Sequence, residues 1–244
     1  MMHHGEADAV VRAEAARAAM ARLMAVAGHD LKQPLQVAVM SIARAAKDGI
    51  APGVAARLNV ALDALERLGC ELDDLARSSQ AGSGLQPRPA SFPLRNVLDQ
   101  VENDWRRYAQ ATRVDLKVRR SALHVETDPV MLRTILRNLV GNAIKFTRTG
   151  GRVLVGCRAR GEHVVIEIHD TGRGIPPHRV AAIFDAFDRG GREGAEDGLG
   201  LGLHIVRQTA EMLRHPIAVR SVEERGSTFS VTVPLAGRIP SGRA

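Results

Sequence analysis

The 244-residue chain is 45% hydrophobic and carries 34 basic against 27 acidic residues, for a formal charge of +7. That apolar share is ample for a folded core and excludes a disordered polymer, and the length accommodates two modest domains. The basic residues are mostly arginines, scattered rather than gathered into a stripe with interleaved aromatics, so the charge describes a solvated surface and no nucleic-acid partner is expected.

Residues 8–47 are dense in alanine, arginine, glutamate and leucine, a strong helix-forming mixture. An apolar seam runs through Ala16, Met20, Leu23, Ala27, Leu31, Ala38, Ile42 and Ala45. Gly49, Pro52 and Gly53 then end the helix and reverse the chain. Val54, Leu58, Ala61, Leu65, Leu68, Leu72 and Leu75 follow in alternating steps of four and three, a heptad seam that requires knobs-into-holes packing. A hairpin of two such helices buries only one side of each, so a second copy completing a four-helix bundle is expected and the chain reads as a homodimer.

On the first helix, His29 lies off the seam, beside Asp30 and ahead of Gln33 and Pro34. Asp30 can accept a hydrogen bond from one imidazole nitrogen and so raise the nucleophilicity of the other. Pro34 removes the amide that would bond to the carbonyl of Asp30, and its ring crowds that carbonyl, which loosens the helix next to the histidine. The heptad fades into small polar residues at 76–84, followed by Pro87, Pro89 and Pro93. This places a domain boundary there, with one domain over residues 8–80, a linker over 81–90 and a second domain over 91–236.

In the second domain the pattern is mixed. Helices are expected over 94–109, 129–146 and 201–213, and another through Val180 and Ile183; Asp128 is placed to cap the second, with Pro129 in its first turn. Strands are expected over 114–118, 152–158, 163–169, 217–222 and 227–233. Strands sharing a face with helices make an α+β two-layer sandwich. Asp170-Thr171-Gly172-Arg173-Gly174 lacks the parallel strand-helix repeat of a dinucleotide fold, and no P-loop lysine motif is present. Asn138, Asn142 and Lys145 share one helix face, which can offer an amide oxygen to a cation and a cation to phosphate. Residues 190–197 are too polar for a core and read as a lid, and Gly198, Gly200 and Gly202 lead into the last helix, whose amides suit phosphate.

Taken together, His29 to Leu35, Asn138 and Asn142, Asp170 to Gly174 and Gly198 to Leu203 resemble the transmitter portion of a bacterial two-component sensor histidine kinase, and the resemblance spans nearly the whole chain. It implies a dimeric phosphoacceptor hairpin followed by a Bergerat-type ATP-binding domain. It also implies ATP-dependent phosphorylation of His29 assisted by Asp30, then transfer to an aspartate in the receiver domain of a response regulator. Asn138 would hold Mg²⁺, Asn142 would line the nucleotide, Lys145 would contact phosphate, and Asp170 with Gly172 and Gly174 would receive adenine. Gln33 stands where the family often has threonine or asparagine for partner dephosphorylation, and Phe184 and Phe187 resemble the family's phenylalanine box. Thr134 stands where related ATPases place a carboxylate base, and Arg214-His215-Pro216 replaces a frequent glycine pair. The alternative is a catalytically degenerate dimeric scaffold that binds a regulator. Cys70 and Cys157 fit a reduced cytoplasmic setting, and no apolar stretch reaches the length of a membrane span, so no direct membrane contact is expected.

Overall fold

The computed structural model describes Ile42, Val54, Leu65, residues 86–185 and residues 202–237. The chain divides into two compact units, residues 1–85 and 86–244. Ile42, Val54 and Leu65 each have helical backbone. The rest of the expected hairpin, its dimeric bundle and the linker up to residue 85 lie outside the described residues.

The second unit opens with β1 (Ala90–Pro93), followed by α1 (Arg95–Ala111), β2 (Asp115–Val118), β3 (His124–Thr127) and α2 (Pro129–Lys145). After these come β4 (Arg152–Arg160), β5 (His163–Asp170), a single 3₁₀ turn over Pro177–Arg179, α3 (Gly202–Leu213), β6 (Ile217–Val222) and β7 (Gly226–Pro234). Five strands form one sheet in the order β2-β4-β5-β7-β6; β2 and β4 run parallel and the other neighbours antiparallel. A separate antiparallel pair joins β1 to β3, with Ala90 opposite Thr127. Alternation decides which sheet face is covered. Val153, Val155, Val164, Ile166, Ile168, Phe229, Val231 and Val233 are all buried. Side chains two apart on a strand share a face. Each such side chain taken from water contributes about 1.5–3 kcal/mol.

Helix α2 is central, in contact with α1, α3, β4 and β5. Its start is fixed by Asp128, whose Oδ1 accepts from the N–H groups of Val130 at 2.9 Å and Met131 at 3.0 Å, with Pro129 in the first turn. Asp128 Oδ2 also accepts from the N–H of Arg88 at 2.9 Å, which ties the segment ahead of β1 to the same cap. Leu132, Ile135, Leu136, Leu139, Val140 and Ile144 are fully or almost fully buried. A side chain at Gly141 would run into the Trp105 indole of α1, whose Nε1 donates to the carbonyl of Arg137 at 3.0 Å. The two helices therefore approach as closely as a missing β-carbon permits.

The α/β sandwich is the expected fold, and two local features differ from expectation. The helix expected through Val180 and Ile183 is a 3₁₀ turn followed by turns to Asp185. Pro176 and Pro177 set the backbone for a first turn, but Val180, Ile183 and Phe184 offer barely one turn of apolar periodicity to sustain it. The β1–β3 pair was not expected, because each strand has only four residues and Pro93 interrupts the alternation of β1. Helix α1 ends in a left-handed residue, Arg113, with φ of +56°. The N–H of Val114 donates to the carbonyl of Ala109 at 2.8 Å to close that cap.

Candidate functional site

Asp170 ends β5 and begins a loop in which backbone approach is unusually close. Its Oδ1 accepts from the N–H of Gly172 at 2.8 Å and from the N–H of Ser227 at 3.2 Å. Burial pushes the carboxyl up from its ordinary value of 3.8, against the opposing pull of those two N–H groups and of neighbouring His169. A β-carbon on Gly172 would run into the carbonyl of Phe146 and come within 2.8 Å of Asp170 Oδ1. Gly174 has φ of +68°, and a side chain there would meet the carbonyl of Val222. The loop accordingly demands glycine at both positions.

What holds this loop is the turn joining β6 to β7. The N–H of Glu224 donates to the carbonyl of Arg173 at 2.6 Å, and the N–H of Ile175 donates to Ser221 Oγ at 2.8 Å. Ser221 Oγ lies 2.9 Å from Ser227 Oγ, and Gly226, with φ of +104°, lets the turn press against the carbonyl of Asp170. One oxygen of the Asp170 carboxylate is thus fixed by backbone from two separate elements.

The second part of the site lies on α2. Asn138 Nδ2 donates to the carbonyl of Thr134 at 2.9 Å, which sets the orientation of the amide. A β-carbon built on Gly202, at the start of α3, would stand 3.1 Å from Asn138 Oδ1 and 3.6 Å from Asn142 Nδ2. The two amides therefore converge on the opening turn of α3, where glycine leaves them room. Lys145 Nζ lies 5.2 Å from the Phe146 ring centroid, and Arg173 Cζ lies 4.6 Å from it. Thr134 donates its hydroxyl proton to the carbonyl of Val130 at 3.1 Å and brings no carboxylate. Phe184 packs against the core and meets Phe229 edge-on at 6.5 Å between centroids.

Of the residues singled out from sequence, Asn138, Asn142 and Gly202 come together, as do Asp170, Gly172 and Gly174. Phe146 links the two groups: its N–H donates to the carbonyl of Asn142 at 3.0 Å and its own carbonyl abuts Gly172. His29, Asp30, Gln33, Phe187, Gly198 and Gly200 lie outside the described residues. Ser221, Ser227 and Phe146 were missed as site residues. Ser227 acts through its backbone N–H, which has no signature in the side-chain sequence, and Phe146 could have been noticed from its place directly after Lys145. A carboxylate fixed by backbone N–H groups suits the amino edge of a purine, and an oriented amide oxygen is a hard donor suited to Mg²⁺.

Residues 127–237 match the family described as histidine kinase-, DNA gyrase B-, and HSP90-like ATPase. Over 229 residues the chain is 31% identical to the adaptive-response sensory kinase SasA of Synechococcus elongatus, an alignment covering 88% of this chain and 59% of SasA. The chain thus spans less than two thirds of that relative. Among solved structures, a mycobacterial sensor histidine kinase, MprB, aligns with a TM-score of 0.54 at 25% identity, over 61% of this chain and 98% of that one. Full-length ShkA, solved in complex with AMPPNP, aligns with a TM-score of 0.64 at 24% identity, over 88% of this chain and 46% of that one, a likeness of fold. Residues 127–237 are an ATPase domain of that family, the ATP-binding domain of a two-component histidine kinase transmitter.

Proposed function

We propose that this chain is a protein histidine kinase that transfers the γ-phosphoryl group of ATP to His29 and then to an aspartate in the receiver domain of a response regulator. The observation that carries the reading is the fixed Asp170 carboxylate, held by the N–H groups of Gly172 and Ser227 in a loop whose close backbone packing requires glycine at 172 and 174. In this reading Asp170 accepts from the adenine amino group, and Gly172 and Gly174 admit the base. Asn142 lines the nucleotide, Lys145 contacts phosphate, and the amides at Gly198, Gly200 and Gly202 receive the phosphate chain. Mg²⁺, held by Asn138 Oδ1 together with phosphate oxygens, supplies neutralisation of the charge on the transferred group.

Residues 8–80 carry the acceptor, 81–90 connect, and 91–236 bind the nucleotide. Asp30 orients the His29 ring and raises its nucleophilicity, so that the imidazole rather than water attacks phosphorus. Thr134, with its hydroxyl committed to Val130, has no basic group with which to activate water, which favours histidine as the acceptor. The heptad seam makes the chain a homodimer, and Gln33 positions water when the regulator is dephosphorylated.

Incubation with γ-labelled ATP and Mg²⁺ tests the assignment. Acid-labile, base-stable label is expected on the parent chain and lost in both His29→Ala and Asn138→Ala. Rapid release of free phosphate without protein label would assign the chain to the directly hydrolysing ATPases. Neither label nor release would make it a regulator-binding scaffold.

A further inference from the structure

We propose that His215 and Thr127 are positioning residues for the candidate nucleotide site: their hydrogen bond pins the far ends of α2 and α3 and so sets the gap between Asn138 and Gly202. This role rests on the nucleotide reading of that site and extends it to residues a helix length away. His215 Nε2 lies 2.7 Å from Thr127 Oγ1, a contact between residues 88 apart in the chain. Thr127 is 2% exposed and His215 7%, so water competes little for the bond. Burial also lowers the pKa of the imidazole and keeps it neutral at pH 7, with one ring nitrogen to donate and the other to accept.

Each end of the bond is built into a helix. Thr127 adjoins Asp128, whose carboxylate caps α2 through the N–H groups of Val130 and Met131. On the other side, the N–H of His215 donates to the carbonyl of Ala210 at 2.8 Å, and Arg214, with φ of +56°, closes the end of α3. The threonine hydroxyl therefore moves with α2 and the imidazole with α3.

The start of α3 lies at Asn138 and Asn142, in the later half of α2, while its end lies beside the start of α2, so the two helices pack antiparallel. At 1.5 Å per residue, Thr127 is about 16 Å from Asn138 and about 22 Å from Asn142 along α2, and His215 is about 20 Å from Gly202 along α3. The pin thus stands at one end of two rods of matching length, and the amides stand at the other. Apolar packing holds two helices together, whereas a buried directional bond also fixes their register along the axis. Axial slip at the pin would be carried to Gly202, where a β-carbon would already stand 3.1 Å from Asn138 Oδ1. A displacement of about 1 Å is enough to spoil a bound geometry.

Calorimetric titration of the full chain with AMPPNP and Mg²⁺, beside thermal melting, tests this role. The double variant Thr127→Val with His215→Leu removes both polar groups, so its melting temperature should stay close to that of the parent. Its affinity for AMPPNP should nonetheless fall about fivefold or more. Thr127→Ser and His215→Gln keep a hydroxyl and a side-chain donor, and should each bind within about twofold of the parent. Val164→Ala, in the core of the sheet, should do the reverse of the double variant, melting lower with AMPPNP affinity unchanged. Affinity of the double variant equal to that of the parent would overturn the proposal. So would an equal loss of affinity in Val164→Ala, which would make the effect one of stability, or in His215→Gln, which would remove the hydrogen bond from the account. If the double variant does not fold, Thr127→Val alone, close in shape to threonine, carries the same two outcomes. Amide hydrogen exchange over residues 203–207 reads the pin without nucleotide: it should be faster in the double variant than in Val164→Ala, and equal exchange would overturn the pin. If the parent bound no AMPPNP while exchange there still depended on the pair, the nucleotide reading would fall and the pin between the helices would stand.

Discussion

In the proposed reading, Asp170 separates stability from ligand recognition at the scale of a single residue. Its Oδ1 accepts two backbone N–H groups, and asparagine can present an oxygen to the same donors. Asp170→Asn is therefore expected to change the unfolding free energy little, by about 1 kcal/mol or less, while cutting affinity for ATP by about tenfold or more. Titration calorimetry and urea denaturation of the same preparation read both. His215 gives the opposite case, in which an uncharged form is the stable one. Its Nε2 lies 2.7 Å from Thr127 Oγ1, both residues are buried, and burial pushes the imidazole below its ordinary value of 6.5. A depressed histidine makes the folded state bind fewer protons than the unfolded one. Its contribution is complete above pH 6.5, is lost as pH falls below that value, and levels off below the folded-state pKa. Asp170, being raised, acts with the opposite sign, its unfavourable effect easing as pH falls toward 3.8. Comparing urea midpoints of the parent and His215→Gln at pH 7.5 and 5.5 isolates the histidine: the parent should lose more stability on acidification than the variant.

Helix α2 concentrates the consequences of element packing. Asp128→Ala removes a capping carboxylate that accepts from two N–H groups of the first turn and should cost about 1–2 kcal/mol, measured by urea denaturation. Gly141→Ala should cost a similar or larger amount, about 1–3 kcal/mol, because its methyl would press the Trp105 indole away and part α1 from α2. Both effects show why some elements were legible in the sequence and others were not. Helix α2 was readable because its cap, first-turn proline and apolar periodicity all agree, and strands β4 to β7 were readable because alternation repeats over six to nine residues. The contact between Gly141 and Trp105 joins residues 36 apart in the chain, and nothing local announces it. Likewise, Asp170 stands out as a carboxylate at a strand end, whereas the Ser227 amide that steadies it lies 57 residues away. His215 is legible in the sequence only as part of the segment that replaces a frequent glycine pair. The structure gives it a buried partner instead, because Thr127 at the end of β3 is brought beside the end of α3.

For the whole molecule, the proposed chemistry joins an acceptor helix to a nucleotide domain, and the proposed bundle takes a second chain along the heptad seam. Sedimentation equilibrium at micromolar concentration is expected to give a homodimer, and a stable monomer would remove the bundle from the proposal. The described domain places the two regions of the candidate site on different structural supports. Asn138 and Asn142 stand on a helix that is buried along most of its length, whereas the Asp170 loop leans on a hairpin tip at the sheet margin, where β6 has only one neighbour. Gly174, Ser221, Glu224 and Gly226 form a matched set across that seam. Anyone building chimaeras from related transmitters would thus have to transplant the 170–175 loop and the 221–227 hairpin as a single cassette, since either half grafted alone would inherit a counterpart of the wrong shape.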